Sequence, residues 1–157
     1  MTLKEKLKED LKQAMRADDL NKKNTIRNIN TAITVFEKSG KEERQANDDE
    51  ILACIRKLSK QSKDSIAMFE KEKRQDLVIK EKAELEILNT YLPADLTDDE
   101  LKNIIDKVLL ENSEELQKYK NGDVKMASIF IGKTMKATKG RAEPVKVNTL
   151  LKQKLDA

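Results

Sequence analysis

The fold is divided by one stretch of sequence, Tyr91-Leu92-Pro93-Ala94-Asp95-Leu96-Thr97-Asp98-Asp99-Glu100-Leu101. Pro93 cannot continue a helix, so the apolar helical pattern that precedes it must stop there. Thr97 and Glu100 then have the spacing of a capping box, which begins a new helix. We therefore predict two domains, covering residues 1–93 and 94–157.

Helical periodicity continues on both sides of this boundary, because apolar residues recur at intervals of three and four. The pattern predicts helices over about 2–16, 19–38, 47–70, 76–91, 97–109, 123–138 and 144–155. Gly40 is expected to end the second helix, and Asp123 is expected to cap the sixth. The predicted fold is all-α, with an N-terminal antiparallel helical bundle and a smaller C-terminal three-helix domain.

Composition supports this class and excludes several kinds of site. Charged residues make up 39% of the chain, aromatic residues 3%, and Gly and Pro together number six, which disfavours a sandwich or barrel. One cysteine cannot form an internal disulfide, and without histidine a zinc site is not expected. No apolar run is long enough for a signal peptide or a membrane span. We expect a cytoplasmic protein without a cofactor or metal.

Catalytic groups are also hard to find. Histidine, the usual general base, is absent. Most carboxylates fall beside lysines on the polar faces of amphipathic helices, where solvation explains them. Cys54 has no base nearby and is interpreted as a small helix residue. Gly132-Lys133-Thr134 imitates the end of a phosphate-binding loop, but the required first glycine is replaced by Ala127. We predict no catalytic residue.

Charge is distributed unevenly. Residues 124–157 contain eight Lys or Arg and two acids, a net charge of +6, whereas the preceding 123 residues have 24 basic and 27 acidic groups, a net charge of −3. The candidate nucleic-acid-binding residues are Lys133, Lys136, Lys139, Gly140, Arg141 and Lys146. Lysines at a helix C-terminus also complement the helix dipole, so that explanation stays open. The alternative is a patch, held on one exposed surface by a helix-turn-helix, that contacts phosphates. Phe130 is interpreted as a core residue rather than as a stacking platform.

The 91–101 stretch, together with Gly132, Met135 and Lys139-Gly140-Arg141-Ala142, resembles the GatB/YqeY family. Glu143-Pro144 departs from the usual family turn, and Ser128 and Ile129 stand where an additional Gly and Lys are often found. The resemblance implies an all-helical protein related to the tail of the B subunit of the glutamine-dependent tRNA amidotransferase. In that enzyme the tail helps to hold tRNA, whereas ATP activation and ammonia release occur elsewhere.

Three functions follow as hypotheses. The first is a non-catalytic tRNA-binding accessory module, for which the label of carbon–nitrogen ligase with glutamine as amido donor is inherited by similarity. The second is a protein-interaction module that docks on an aminoacylation or amidotransferase assembly through its acidic helical domain. The third is an active amidotransferase. We expect tRNA as the partner in the first case, and no membrane partner in any.

Overall fold

The computed structural model describes residues 1–157, and all of its regular elements are α-helices. Eight helices follow in order: α1 (Leu3–Arg16), α2 (Leu20–Lys38), α3 (Asp48–Lys71), α4 (Gln75–Tyr91), α5 (Asp98–Glu111), α6 (Ser113–Lys120), α7 (Met126–Thr138) and α8 (Pro144–Leu155). The predicted all-α class is confirmed. None of the helices combines the length and apolar character needed to cross a membrane.

The chain forms two compact units, Met1–Leu92 with α1 to α4 and Pro93–Ala157 with α5 to α8. That each unit folds as an independent domain stays a prediction. Three capping boxes set helix starts, and the one at Thr97 is the predicted one. Thr2, Asn47 and Thr97 each accept a hydrogen bond from the backbone N–H three residues later, in a complete capping box. Such caps satisfy backbone donors that a helix start otherwise leaves unpaired.

The core of the N-terminal unit is built from aliphatic side chains of its four helices. The buried residues are Leu7, Ile26, Ile29, Ile33, Ile51, Ile55, Leu88 and Tyr91. The Tyr91 hydroxyl donates a hydrogen bond to Asp10 Oδ2 at 2.6 Å, which joins the end of α4 to α1. Burial raises the pKa of the Tyr91 hydroxyl, and the hydrogen bond to Asp10 raises it further. Tyr91, the first residue of the 91–101 stretch, therefore has a structural role.

The α3–α4 contact includes small polar side chains. Ser59 and Ser62 are buried, whereas the apolar Ile66 and Phe69 of the same helix are half-buried. The Ser59 hydroxyl donates to Asn89 Oδ1 at 3.4 Å. Small side chains at these positions let two helix backbones approach each other closely, so α3 and α4 pack as a tight hairpin.

The core of the C-terminal unit forms around α7. Its buried residues are Leu101, Ile105, Val108, Phe130, Val147, Leu151 and Leu155. Phe130 is 0% exposed, which confirms its interpretation as a core residue. Pro144 occupies the first turn of α8, as predicted, where the N–H that proline lacks is not needed.

Three local predictions are wrong. Residues 113–120 form α6, so the C-terminal unit has four helices rather than three; Asn112, with φ −125° and ψ 48°, separates α6 from α5. Asp123 does not cap α7, because a turn intervenes and Lys125 is the capping residue. Gly40 does not end α2, which stops at Ser39 with the serine hydroxyl donating to Phe36 O at 2.7 Å.

Candidate nucleic-acid interface

The helix α7 positions the first candidate residues by turning one face to the core. Phe130, Thr134 and Thr138 are buried, and all three lie on that face. Gly132 and Lys136 lie on the opposite side and are exposed. Because the segment is helical, it is not the loop that a phosphate-binding motif requires.

Gly132 has no intramolecular reason to be glycine. A Cβ added to it would meet no atom within 4 Å, and its backbone is helical with no positive φ. Glycine in a helix interior costs about 1 kcal/mol relative to alanine. Because Gly132 has no side chain, the backbone of α7 is accessible on its exposed side, one turn before Lys136.

The C-terminal end of α7 is a left-handed turn. Lys139, rather than Gly140, is the capping residue, with φ 51° and ψ 35°. Gly140 follows with φ 77°, and the Arg141 N–H donates to Thr138 O at 3.0 Å. A lysine in this conformation costs roughly 1–2 kcal/mol relative to glycine. The cation is thus held at an unfavourable backbone position.

Arg141 has a structural role that the sequence did not reveal. Its Nε donates to Ala94 O at 2.9 Å, and its own carbonyl accepts the Leu96 N–H at 2.8 Å. The side chain is half-buried. Arg141 therefore fastens the α7–α8 turn to the segment that precedes α5. The Ala94 carbonyl and the Leu96 N–H are neutral groups, so these bonds do not cancel the guanidinium charge.

Lys133 and Lys146 reach opposite ends of α5. Lys133 Nζ donates to Asn112 Oδ1 at the C-terminal end, whereas Lys146 Nζ contacts the Asp98 carboxylate at the N-terminal end. At a rise of 1.5 Å per residue, these ends are about 21 Å apart. The candidate residues therefore follow a path along the C-terminal unit instead of meeting at one point.

The cations along this path differ in how far they are neutralised. The Lys146 hydrogen bond lowers the pKa of Asp98, and the same bond raises the pKa of Lys146, so this charge is paired. Lys133 is bonded to a neutral amide oxygen, so this contact brings no opposite charge. Lys136 is exposed and forms no ion pair. Of these three lysines, Lys146 is therefore the least available to an external anion.

One further cation shares the exposed side of α7. Lys125 is exposed and lies eleven residues before Lys136, which is three helical turns. Ser128 and Gly132 occupy the same side between them. Sequence inspection did not single out Lys125, although the eleven-residue spacing was a signal that could have found it.

The other candidate chemistry is not supported by geometry. Burial raises the pKa of the half-buried Cys54 thiol, whereas a cysteine nucleophile needs a lowered one. No group of three or more Cys, Asp or Glu side chains is placed to hold a metal ion.

Comparison with known proteins supports the resemblance to the GatB/YqeY family. The family model described as Yqey-like protein matches residues 4–155. The chain is 38% identical over 90 residues to the B subunit of the aspartyl/glutamyl-tRNA(Asn/Gln) amidotransferase of Rickettsia felis, covering 57% of this chain and 17% of that protein. The corresponding protein of Thermoanaerobacter sp. strain X514 is 39% identical over 88 residues, covering 56% and 17%.

The amidotransferase B subunit of Rickettsia canadensis is similar to the same extent, with 36% identity over 88 residues. These matches span only 17% of each relative, so they relate this chain to a small part of those proteins. The family model covers nearly the whole chain, which belongs to the Yqey-like protein family.

Proposed function

We propose that this protein is a non-catalytic tRNA-binding accessory module. The observation that carries the proposal is the series of lysines on α7, where Lys136 is exposed and Lys133 is bonded to a neutral amide, beside the turn that Arg141 ties to Ala94. The relatives that match this chain are components of enzymes named for their action on tRNA. A row of separated cations suits a polyanion, because each lysine or arginine can meet a different phosphate and release its counterions.

The proposed contacts are with the sugar–phosphate backbone and not with bases. Base stacking needs exposed aromatic rings. Phe130 is fully buried, and Tyr119 is partly buried against the C-terminal core. Lys136 supplies a flexible point charge, Lys133 and Lys139 lie three residues to either side of it, and Gly132 allows an RNA backbone to come close to α7.

Amidotransferase activity is less well supported than tRNA binding. The matched region is a small part of the relatives. The raised pKa of the Cys54 thiol disfavours the thiolate that a cysteine nucleophile needs. Incubation of the purified chain with Glu-tRNA, glutamine and ATP tests the activity directly. We expect no glutaminyl product, and its formation would overturn the non-catalytic assignment.

The binding proposal is tested by tRNA affinity at several salt concentrations. The logarithm of the association constant should fall linearly with the logarithm of salt, with a slope of about −0.9 for each neutralised phosphate of a duplex. Lys136→Glu should weaken binding and reduce the slope by about one. Lys136 is preferred to Arg141 for this test, because replacing Arg141 also removes the bond to Ala94.

Lys118→Glu is the matched control. Lys118 is exposed on α6, lies in the same unit and undergoes the same change of charge. Affinity should be closer to that of the unaltered protein. Equal losses for the two variants would indicate a nonspecific charge effect, and undetectable binding at low salt would refute the proposal.

A second candidate function is docking on an aminoacylation or amidotransferase assembly through the N-terminal unit. The observation that favours it is a groove between α2 and α3 with an exposed apolar lining. Co-purification with such components that survives nuclease treatment would support docking, whereas its loss on nuclease treatment would show that RNA bridges the two.

A further inference from the structure

The groove on the N-terminal unit lies between α2 and α3 and has a volume of about 490 Å³. Its apolar lining comes from Ala32, Val35 and Phe36 on α2 and from Ala53, Cys54 and Leu58 on α3. With the remaining lining residues, Ser39, Glu50, Lys57 and Gln61, these positions recur at three- and four-residue intervals, so each helix presents one continuous wall. Val35 is 64% exposed, which leaves an apolar side chain in water at the rim.

The groove lies beside the core of the unit, and Leu58 contacts both. The core positions of α2 are Ile26, Ile29 and Ile33, and those of α3 include Ile51 and Ile55. The groove residues follow at neighbouring positions of the same helices, so both helices carry more apolar surface than the core uses. Exposed apolar surface of this kind is typical of an interaction site.

Two charged residues line the groove, Glu50 and Lys57, and only Glu50 is paired. The Glu50 carboxylate is neutralised by Arg44, whose Nη2 lies 2.6 Å from Oε2. The Arg44 guanidinium also lies 5.5 Å from the centre of the Phe36 ring. Lys57 lines the groove and forms no ion pair. The remaining uncompensated charge is therefore positive, which is complementary to a carboxylate.

The dimensions fit a helix. The α3 wall runs from Glu50 to Gln61, a rise of about 16 Å or three helical turns. Two helices in contact leave a trough into which the side-chain ridge of a third helix can pack. We propose that this groove binds one amphipathic helix of another protein, with its apolar face in the groove and a carboxylate against Lys57.

The proposal is independent of RNA binding and gives the second candidate function a specific surface. Cys54 provides the measurement, because the chain has one cysteine and it lies in the groove wall. The probes are two synthetic helical peptides with the same leucine face, one flanked by glutamates and the other by lysines. Modification of the Cys54 thiol by a disulfide reagent is followed with each peptide added to the full-length protein.

We expect the glutamate peptide to protect Cys54. At a concentration about ten times its Kd, mass action predicts a modification rate about tenfold lower. The lysine peptide should protect much less, and Lys57→Glu should reverse the preference between the two. Reversal distinguishes a charge-directed contact at the groove from general adhesion of an apolar peptide.

Val35→Asp should abolish protection, and Ile79→Asp is its matched control. Ile79 is an apolar residue of the same unit with a similar exposure, 68%, but it lies on α4 outside the groove. Both variants replace an exposed side chain, so thermal unfolding followed by circular dichroism should be close to that of the unaltered protein.

Three results would overturn the proposal: equal protection by the two peptides, protection by neither, or no effect of Val35→Asp. Protection by the small apolar dye 1-anilinonaphthalene-8-sulfonate alone would indicate a small-molecule groove and would also reject the helix. Since tRNA affinity is measured separately, failure here leaves the RNA proposal standing. Failure of Lys136→Glu to affect tRNA leaves the groove proposal standing.

Discussion

The turn between α3 and α4 and the turn between α7 and α8 begin in the same way and are held differently. Each places a lysine in the left-handed region just after a helix, Lys73 with φ 57° and Lys139 with φ 51°. The first turn is closed by neighbours: the Arg74 N–H donates to Phe69 O at 2.9 Å, and the Arg74 side chain pairs with Asp76 at 3.1 Å. The second is tied to a distant segment through Arg141 and Ala94, at 2.9 Å.

The difference shows how one backbone feature serves two purposes. The α3–α4 turn reverses the chain with local contacts alone, so its conformation is set by residues within a few positions of Lys73. The α7–α8 turn depends on a partner 47 residues away and presents a cation beside Gly140. We infer that the first turn is a connection and that the second is a positioned part of the proposed interface.

The largest expected effect comes from breaking the distant tie. Arg141→Ala removes a charged donor from the Ala94 carbonyl and should lower the free energy of unfolding by about 1–2 kcal/mol. Arg74→Ala removes only an exposed contact between near neighbours and should leave stability nearly unchanged. Urea unfolding of the two variants measures both values. Equal losses would show that the two turns are held alike.

The two left-handed lysines can be compared directly. Lys139→Gly and Lys73→Gly each relieve an unfavourable conformation and should each raise the free energy of unfolding by about 1 kcal/mol. Thermal unfolding should shift upward by about 2–4 °C for a chain of this size. In a tRNA titration, Lys139→Gly should reduce the salt slope by about one, whereas Lys73→Gly should leave it unchanged.

If Lys139→Gly binds tRNA more weakly although it is more stable, the loss of binding cannot be caused by unfolding. An unchanged affinity for Lys139→Gly would remove Lys139 from the interface. A matching loss for Lys73→Gly would instead extend the interface to the N-terminal unit, and the contrast between the two turns would then fail.

Buried hydroxyls on the helices that lead into these turns give a smaller contrast. Thr134 on α7 is 0% exposed, and its Oγ1 has no hydrogen-bond partner. Thr134→Val keeps the shape, removes the unpaired hydroxyl and should raise the free energy of unfolding by about 1 kcal/mol. Ser59 on α3 has a partner in Asn89, so Ser59→Ala should not stabilise. Chemical unfolding of both variants is the measurement, and destabilisation by Thr134→Val would contradict it.

The smallest expected effect concerns Asp98 and Asp76, whose pKa values are lowered by hydrogen bonds from Lys146 and Arg74 respectively. A lowered folded-state pKa contributes stability above the unfolded value, 3.8 for each carboxyl, and the contribution is lost as pH falls through the folded pKa. Both carboxyl groups are exposed, so each contribution is small. Asp98→Asn and Asp76→Asn should each only slightly reduce the change in the free energy of unfolding as pH falls below about 4.

The same pair of variants tests the role of Lys146 at neutral pH. Asp98→Asn frees the Lys146 charge and should raise tRNA affinity, whereas Asp76→Asn should not change it. Affinity measured at constant salt decides the matter. No gain for Asp98→Asn would place Lys146 outside the interface.

Much of the fold could be predicted because helix starts are local events. The capping-box spacing of Thr97 and Glu100 predicted a helix that the structure contains, and helices also begin near the expected residues 2 and 47. Each of these caps joins residues only three apart. The missed helix has a simple cause. α6 has no fully buried residue and only Leu116 and Tyr119 against the core, which is too short an apolar pattern for periodicity to detect.

The candidate site was predictable in part. The sequence located the cations near the α7–α8 turn, but it could not show which of them are used internally. The Lys133, Arg141 and Lys146 contacts join α7, the turn and α8 to residues 21 to 48 positions earlier in the chain. Such contacts leave no short-range pattern.

The sequence by itself determined the helical class, the helix break at Pro93 and the surplus of positive charge after residue 124, because propensity, capping and composition are properties of neighbouring residues. Tertiary structure alone decided that Arg141 is a clamp, that the Lys146 charge is paired, and that α2 and α3 leave a groove. Each of these depends on which residues become neighbours when helices pack, and packing is settled by the whole chain.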